Sequence, residues 1–394
     1  MKIPITKPYF DEEEFSLVRQ SLETGWVVQG PRVAEFERLL SKYSKIPHTL
    51  ATTSCTTALH LGLVALGIGP GDEVIVPAFT FVATANVIEY QNATPIFCDI
   101  DPLTFNIDVA QLESKITERT KAVMPVSLFG LSADMDPIIE LARRYNLYVI
   151  EDAACAVGAW YKGHHAGALA DFGALSFHPR KGIVTGEGGM VLTSDEHLAE
   201  KMRSLRDHGA TVSDLQRHHS QKSYIMPEYD MVGFNYRMTD IQGAVGVAQM
   251  RKFNYIMGKR SEIARRYDDA LAELSWLRTP YTPDAYVHGY QSYVCLFAPE
   301  EPTMDNVEEL HAQRNTLMDQ LEEKGIATRQ GTQAVHTLGY YREKYSLRPE
   351  DYPNAYIADR LTLALPLYVQ FTDNEQAYTV KNLKEKREMS RRRV

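Results

Sequence analysis

Seven short apolar runs between residues 48 and 195 narrow what this chain can fold into. They are His48–Thr52, Glu73–Pro77, Pro95–Asp99, Lys121–Ser127, Leu147–Asp152, Gly173–Phe177 and Gly189–Ser194. Val, Ile and Phe are frequent in them, and clean polar alternation is missing. Strands covered on both faces read this way, whereas a strand with one wet face alternates. The stretches between, such as "TALHLGLVALG" and "MDPIIELARRYN", carry apolar residues at helical spacing. The first stops at Gly67, and "IGPGD" follows as a C-cap and turn. The alternation predicts an α/β fold: a three-layer α/β/α domain around a mainly parallel seven-stranded sheet.

The pattern changes near residue 250. A long helical stretch from Ile241 to Leu274 leads into the linker-like "SWLRTPYTPDAY". An alternating strand, "YQSYVCLFA", and a helix over Asn306–Lys324 follow. Residues 1–250 are therefore expected to form the large domain with an N-terminal arm, and 251–394 a smaller α+β domain. Between them, His208–Asp230 is polar and non-periodic, as a functional loop would be.

Composition excludes several classes. A formal charge of −9 argues against a nucleic-acid binder. No run of 18 apolar residues is present, so no membrane span is expected. The N-terminus lacks the apolar core of a signal peptide. The four cysteines (Cys55, Cys98, Cys155, Cys295) form no CxxC pair, which suits reduced thiols in the cytoplasm. There is no P-loop and no convincing GxGxxG. The pairs His164–His165 and His218–His219 read as solvated loops, because adjacent residues rarely face one metal ion.

In open α/β sheets, ligands sit beyond the carboxyl ends of the strands. After the first run, Ser54, Cys55, Thr56 and Thr57 open a helix, which is either an anion site or a plain N-cap. After the second come Phe79 and Phe81, ring-stacking or core aromatics. After the fifth come Glu151 and Asp152; a carboxylate ending an apolar strand needs a cleft, a cation or a capping role. After the sixth come His178, Arg180 and Lys181, then the glycine-rich "TGEGGM". A lysine beside apolar strands is expected to lose its proton readily through desolvation, and the free amine attacks aldehydes. Alone, it reads more readily as a surface lysine before a hairpin turn, the usual case for any single lysine. Together, the parts fit pyridoxal phosphate, which requires a lysine, a carboxylate, a stacking aromatic and an anion cradle.

Longer motifs carry a resemblance. "SFHPRKGIVTGEGGM", "VIEDAACAVGA", "GIGPGDEVIVPAFTFVATAN", "TPIFCDIDPLTFNID" and "GFNYRMTDIQGAVG" closely resemble the DegT/DnrJ/StrS-type nucleotide-sugar aminotransferases. These are fold-type-I pyridoxal phosphate enzymes of the aspartate aminotransferase superfamily. The likeness runs from "PYFDEEE" to "LALPLY". It implies that Lys181 is the Schiff-base lysine and proton shuttle, Asp152 the partner of the pyridine nitrogen, and Phe81 the stacking ring. It implies that Thr56, Thr57 and Ser176 hold the phosphate. Asn235 would join them from the other subunit of a homodimer with shared active sites, with Arg237 close by. Gly25–Gly30 and His288–Tyr293 resemble segments near the sugar-nucleotide pocket. Two stretches depart from the family pattern. Cys155 stands where Gln or His often contacts the cofactor, and "RQGTQAVHTLGYY" differs from the usual loop, with Arg329 and His336 as candidate substrate contacts.

The implied reaction moves an amino group from glutamate to a keto sugar, a nucleotide-linked 4-keto-6-deoxyhexose. Within the same group, a cyclitol or amino-shikimate substrate is the alternative. Lys181 argues against the family's dehydratase branch, in which that lysine is replaced. Lys181, Asp152 and Ser176 together argue against a non-catalytic binding protein.

Overall fold

A computed structural model describes residues 2–212 and 226–391, excluding the side chains of 386–391. His218, His219 and most of the 208–230 loop lie outside the described residues. All seven apolar runs are strands of one sheet: β1 His48–Thr52, β2 Glu73–Pro77, β3 Thr94–Cys98, β4 Thr120–Val123, β5 Tyr148–Asp152, β6 Phe172–Ser176 and β7 Gly189–Thr193. Their spatial order is β1-β7-β6-β5-β4-β2-β3. The pairs β2–β3, β2–β4, β4–β5 and β5–β6 are parallel. β7 is antiparallel to both β6 and β1. Parallel neighbours need a crossover, usually a helix. The 177–188 connection carries Pro179, Gly182, Gly186 and Gly188 and forms no helix, so the chain returns as a hairpin.

Successive residues of the strands feed opposite layers, as the two-residue period of a strand demands. Leu50, Val74, Val76, Ile150, Ala174 and Val191 join one core with helix Cys55–Leu66. On the other face, Ala51, Leu175, Met190 and Leu192 pack on helices Pro31–Ser44 and Asp240–Arg251. Ile75, Val123 and Val149 pack on helix Met135–Tyr145. The sheet is the middle of three layers.

A second sheet joins Leu277–Arg278, Tyr293–Phe297 and Thr362–Leu365, all antiparallel, with helices Phe253–Leu271 and Val307–Glu323 in its core. The helical stretch expected over 241–274 is broken. It ends at Arg251 and restarts at Phe253, and Lys252 at the break pairs with Asp11 and Glu14, each at 2.7 Å. The start of the chain is likewise built in. Ile3 is wholly buried in this second core, its amide donating to the Gly325 carbonyl at 2.7 Å. The pair His164–His165 is a correction: it forms a short strand rather than a loop, and His165 is buried, with Nε2 2.7 Å from the Val157 carbonyl. Among the described residues, no helix is long and apolar enough to cross a membrane, and no group of three or more acidic, His or Cys side chains could hold a metal.

Two tests follow. A Cβ on Gly189 would lie 2.3 Å from the Ser54 carbonyl carbon and 2.5 Å from the Cys55 nitrogen, whereas Gly258 has open space. Gly189→Ala is expected to lose about 1–3 kcal/mol in urea unfolding, and Gly258→Ala to gain about 0.5–1 kcal/mol by stiffening its helix. Glu151 is buried with the Ser127 hydroxyl donating to it at 2.9 Å; burial pushes its carboxyl up from 4.5 to about 7. The folded chain therefore holds the proton more tightly than the unfolded chain. That stabilisation is complete below the unfolded value and is lost as pH rises through about 7. Relative to Glu151→Gln, the wild type should lose on the order of 2–3 kcal/mol between pH 4.5 and 8. A constant difference across that range would contradict this.

Candidate active site

Three connections leave the carboxyl ends of β1, β5 and β6 and meet over the sheet. Asp152 ends β5 and is only 5 % exposed. Its Oδ2 accepts the Thr84 hydroxyl at 2.8 Å, and its Oδ1 accepts the Ala154 amide at 3.2 Å. Cys55 Sγ stands 4.0 Å from Oδ1. No helix begins after Asp152, so its role is not that of an N-cap. Burial raises its pKa, against the pull of Thr84, Ala154 and the charge of Lys181.

Lys181 lies in the β6–β7 loop, its amide donating to the His178 carbonyl at 2.8 Å. Its Nζ is 3.1 Å from Cys155 Sγ. One expectation is overturned here. Burial alone lowers the lysine's pKa, but Cys155, Cys55 and Asp152 outweigh it, and the net shift is upward.

The first connection bears out the capping reading of Ser54. Ser54 caps helix Cys55–Leu66, accepting the Thr57 amide at 3.1 Å, while the Thr57 hydroxyl accepts the Ser54 amide at 3.0 Å. Thr57 is thus committed to the cap, and Thr56, half-buried beside it, is the better-placed anion contact. Ser176 is buried at the end of β6, opposite Gly189, its Oγ 3.4 Å from the His178 amide. The lack of a Cβ on Gly189 lets β7 meet the Ser54–Cys55 backbone, which draws the capped helix start towards Ser176. Phe81 and Phe79 separate cleanly: Phe79 is core, and Phe81 is 64 % exposed, a ring with a face to offer.

Asn235 and Arg237 lie on the outer side of β1. Arg237 bridges Thr52, Asn235 bridges Asp207, and the Arg237 guanidinium pairs with Asp207. Arg237 lines a cavity of about 670 Å³ with Gln29, Gly30, Asp207 and Met231. The described contacts do not join either residue to Lys181 of the same chain. Gly30 is fixed there by the Asp240 carboxylate, which accepts its amide at 3.0 Å. His288 is buried and stacked on Tyr290 at 4.1 Å. His336 is a correction: it is wholly buried, edge-on to Tyr352, and held neutral by burial, with its pKa lowered to about 4. It is a core residue rather than a substrate contact. Arg329 pairs its backbone with Ala364.

Sequence reasoning missed two residues. Thr84 stands one helical turn after Thr80, whose hydroxyl is 2.9 Å from its own, and nothing but that spacing marked it. Gln291, whose Nε2 reaches the Arg180 carbonyl at 2.8 Å, lay inside the His288–Tyr293 segment already singled out, but nothing marked it individually.

Comparison with known proteins agrees with this geometry. The DegT/DnrJ/EryC1/StrS aminotransferase family matches residues 8–384. The GDP-perosamine synthase of Caulobacter vibrioides is 42 % identical over 342 residues, covering 86 % of this chain and 87 % of that protein. The spore coat polysaccharide biosynthesis protein SpsC of Bacillus subtilis is 39 % identical over 373 residues, covering 95 % and 94 %. The putative sugar aminotransferase Spr1654 from Streptococcus pneumoniae, in its PMP form, superposes with a TM-score of 0.88 at 29 % identity, covering 98 % of each chain. The chain belongs to the DegT/DnrJ/EryC1/StrS aminotransferase family.

Proposed function

We propose that this chain is a pyridoxal phosphate-dependent sugar aminotransferase that moves an amino group from glutamate to a nucleotide-linked 4-keto-6-deoxyhexose. The observation that carries it is Lys181, gathered with Asp152, Cys55 and Cys155 beyond the carboxyl ends of β5 and β6: its Nζ is 3.1 Å from Cys155 Sγ, and Cys55 Sγ is 4.0 Å from Asp152. The relatives named for perosamine and for coat polysaccharide support a sugar acceptor.

The residues fit the cofactor. A buried carboxylate, a lysine amine, an exposed aromatic face and a capped helix start beside Ser176 form the donor set it requires. When bound, it supplies an aldehyde that takes up the amino group and a ring that draws off electron density. Asp152 holds a negative charge where a protonated ring nitrogen needs one, and burial strengthens that pairing. Thr84 and Ala154 keep the carboxylate aimed. Lys181 Nζ anchors the cofactor and then carries the proton that must leave one carbon and arrive at another. Phe81, with its exposed face, would cover the ring. The amide donors and dipole of the helix at Cys55, with Ser176, would hold the phosphate.

The working unit is a homodimer, with the large domain at 1–250 and the smaller at 251–394. Asn235 and Arg237 sit with Gly30 outside β1, which suits residues offered to a neighbouring subunit's site.

Lys181→Ala is expected to abolish borohydride trapping of the cofactor and to lower turnover at least about 10³-fold. Undiminished turnover would sink the assignment. Trans donation has its own test. Lys181→Ala and Asn235→Ala proteins, unfolded and refolded together, should regain about a quarter of wild-type activity, because half the dimers then hold one intact site. No recovery would place Asn235 in its own chain's site.

A further inference from the structure

We infer that Gln291 is a positioning residue for Lys181, and that the buried guanidinium of Arg260 holds it in place. This rests on Lys181 being the cofactor's lysine.

The side chain of Gln291 crosses from the 288–292 segment to the Lys181 loop, and its Nε2 donates to the Arg180 carbonyl at 2.8 Å. That carbonyl belongs to the peptide joining Arg180 to Lys181. Fixing it fixes the direction in which the lysine leaves the backbone. The bond goes to main chain, so it does not depend on the side chain of Arg180.

The segment that presents Gln291 is unusually constrained. Tyr290 has φ 42° and Phe129, packed against it, has φ 55°, a region that bulky residues rarely adopt. Between them, Gly130 has φ +104°, and a Cβ there would lie 2.7 Å from the Tyr290 nitrogen and 2.8 Å from that of Gln291. Three ties hold this conformation. The Gly289 amide donates to the Gly130 carbonyl at 2.7 Å. The Tyr290 amide donates to His288 Nδ1 at 2.8 Å. Arg260 donates from Nε to the Tyr290 carbonyl at 2.9 Å and from Nη2 to the Gln291 carbonyl at 2.7 Å.

Arg260 is buried on helix Phe253–Leu271. Burying a guanidinium against two carbonyls costs desolvation that an aliphatic side chain would avoid. Placing a strained aromatic and a buried cation around one short segment makes physical sense when the segment's side chain has a task. The side chain of Gln291 reaches from there to the lysine loop. Local bonds such as Lys181 to His178 and Thr185 to Phe177 close the loop on itself, and Gln291 ties its Arg180–Lys181 peptide to the far part of the chain.

The test compares holoenzymes carrying Gln291→Met, which keeps length but lacks a donor, Gln291→Glu, which replaces the donor by an acceptor, and Gln291→Lys, which restores one. The readouts are kcat and KM, the pH titration of the bound cofactor's absorbance, and the fraction trapped on Lys181 by borohydride. Met and Glu should lower kcat about 10- to 100-fold, with KM for the amino donor within about threefold. Both should move the pH titration, and Lys should restore most of it. Unmoved titration and kcat in Met and Glu, or a kcat loss with unmoved titration and no recovery in Lys, would overturn the inference. If one variant fails to fold, the other carries the same comparison. Trapping that persists in Lys181→Ala would instead overturn the underlying reading of the lysine.

Discussion

The whole site depends on one carboxylate at the end of a strand that is otherwise apolar. Asp152 sits where water is excluded, and its charge is tolerable only because Thr84, Ala154 and Lys181 face it. Each of those partners comes from a different connection: the helix after β2, the turn after β5 and the loop after β6. The sheet order makes this meeting possible, since β5 and β6 are neighbours and β1 reaches them through β7. The antiparallel β7 is therefore central to the chemistry. It brings the capped start of helix Cys55–Leu66 against Ser176 and closes the Lys181 loop in one step.

The cluster also changes how the lysine works. Burial lowers the pKa of its amine, and Cys155, Cys55 and Asp152 raise it, with a net shift upward. Cys155 is the unusual member of the set, because a thiol is a weak hydrogen-bond partner.

Much of this was legible from the chain. The strands announced themselves because both of their faces are covered, so apolar runs survived without alternation. Lys181, Asp152, Ser176 and the helix opening at Ser54 could be read because they follow those runs directly. The direction of β7 was not legible, since a run of apolar residues carries no sign. His336 was misread because a histidine in a polar-looking segment gives no hint that the fold will bury it against Tyr352. Thr84, and the bond that Gln291 makes, were hidden for a different reason: one acts through a hydroxyl on a helix, the other across 111 positions of sequence. Local patterns report which face of an element is dry, and they say little about which side chains then meet.

The burial of Ile3 has a consequence for how the chain folds. Ile3 exchanges backbone hydrogen bonds with Gly325 and Ala327, more than three hundred positions away. The slot that it fills in the second core stays open until those distant segments meet. Closing it brings Ile3 to a sheet whose last strand ends at Leu365, so that core is completed by a long-range contact, the slow kind of step in folding.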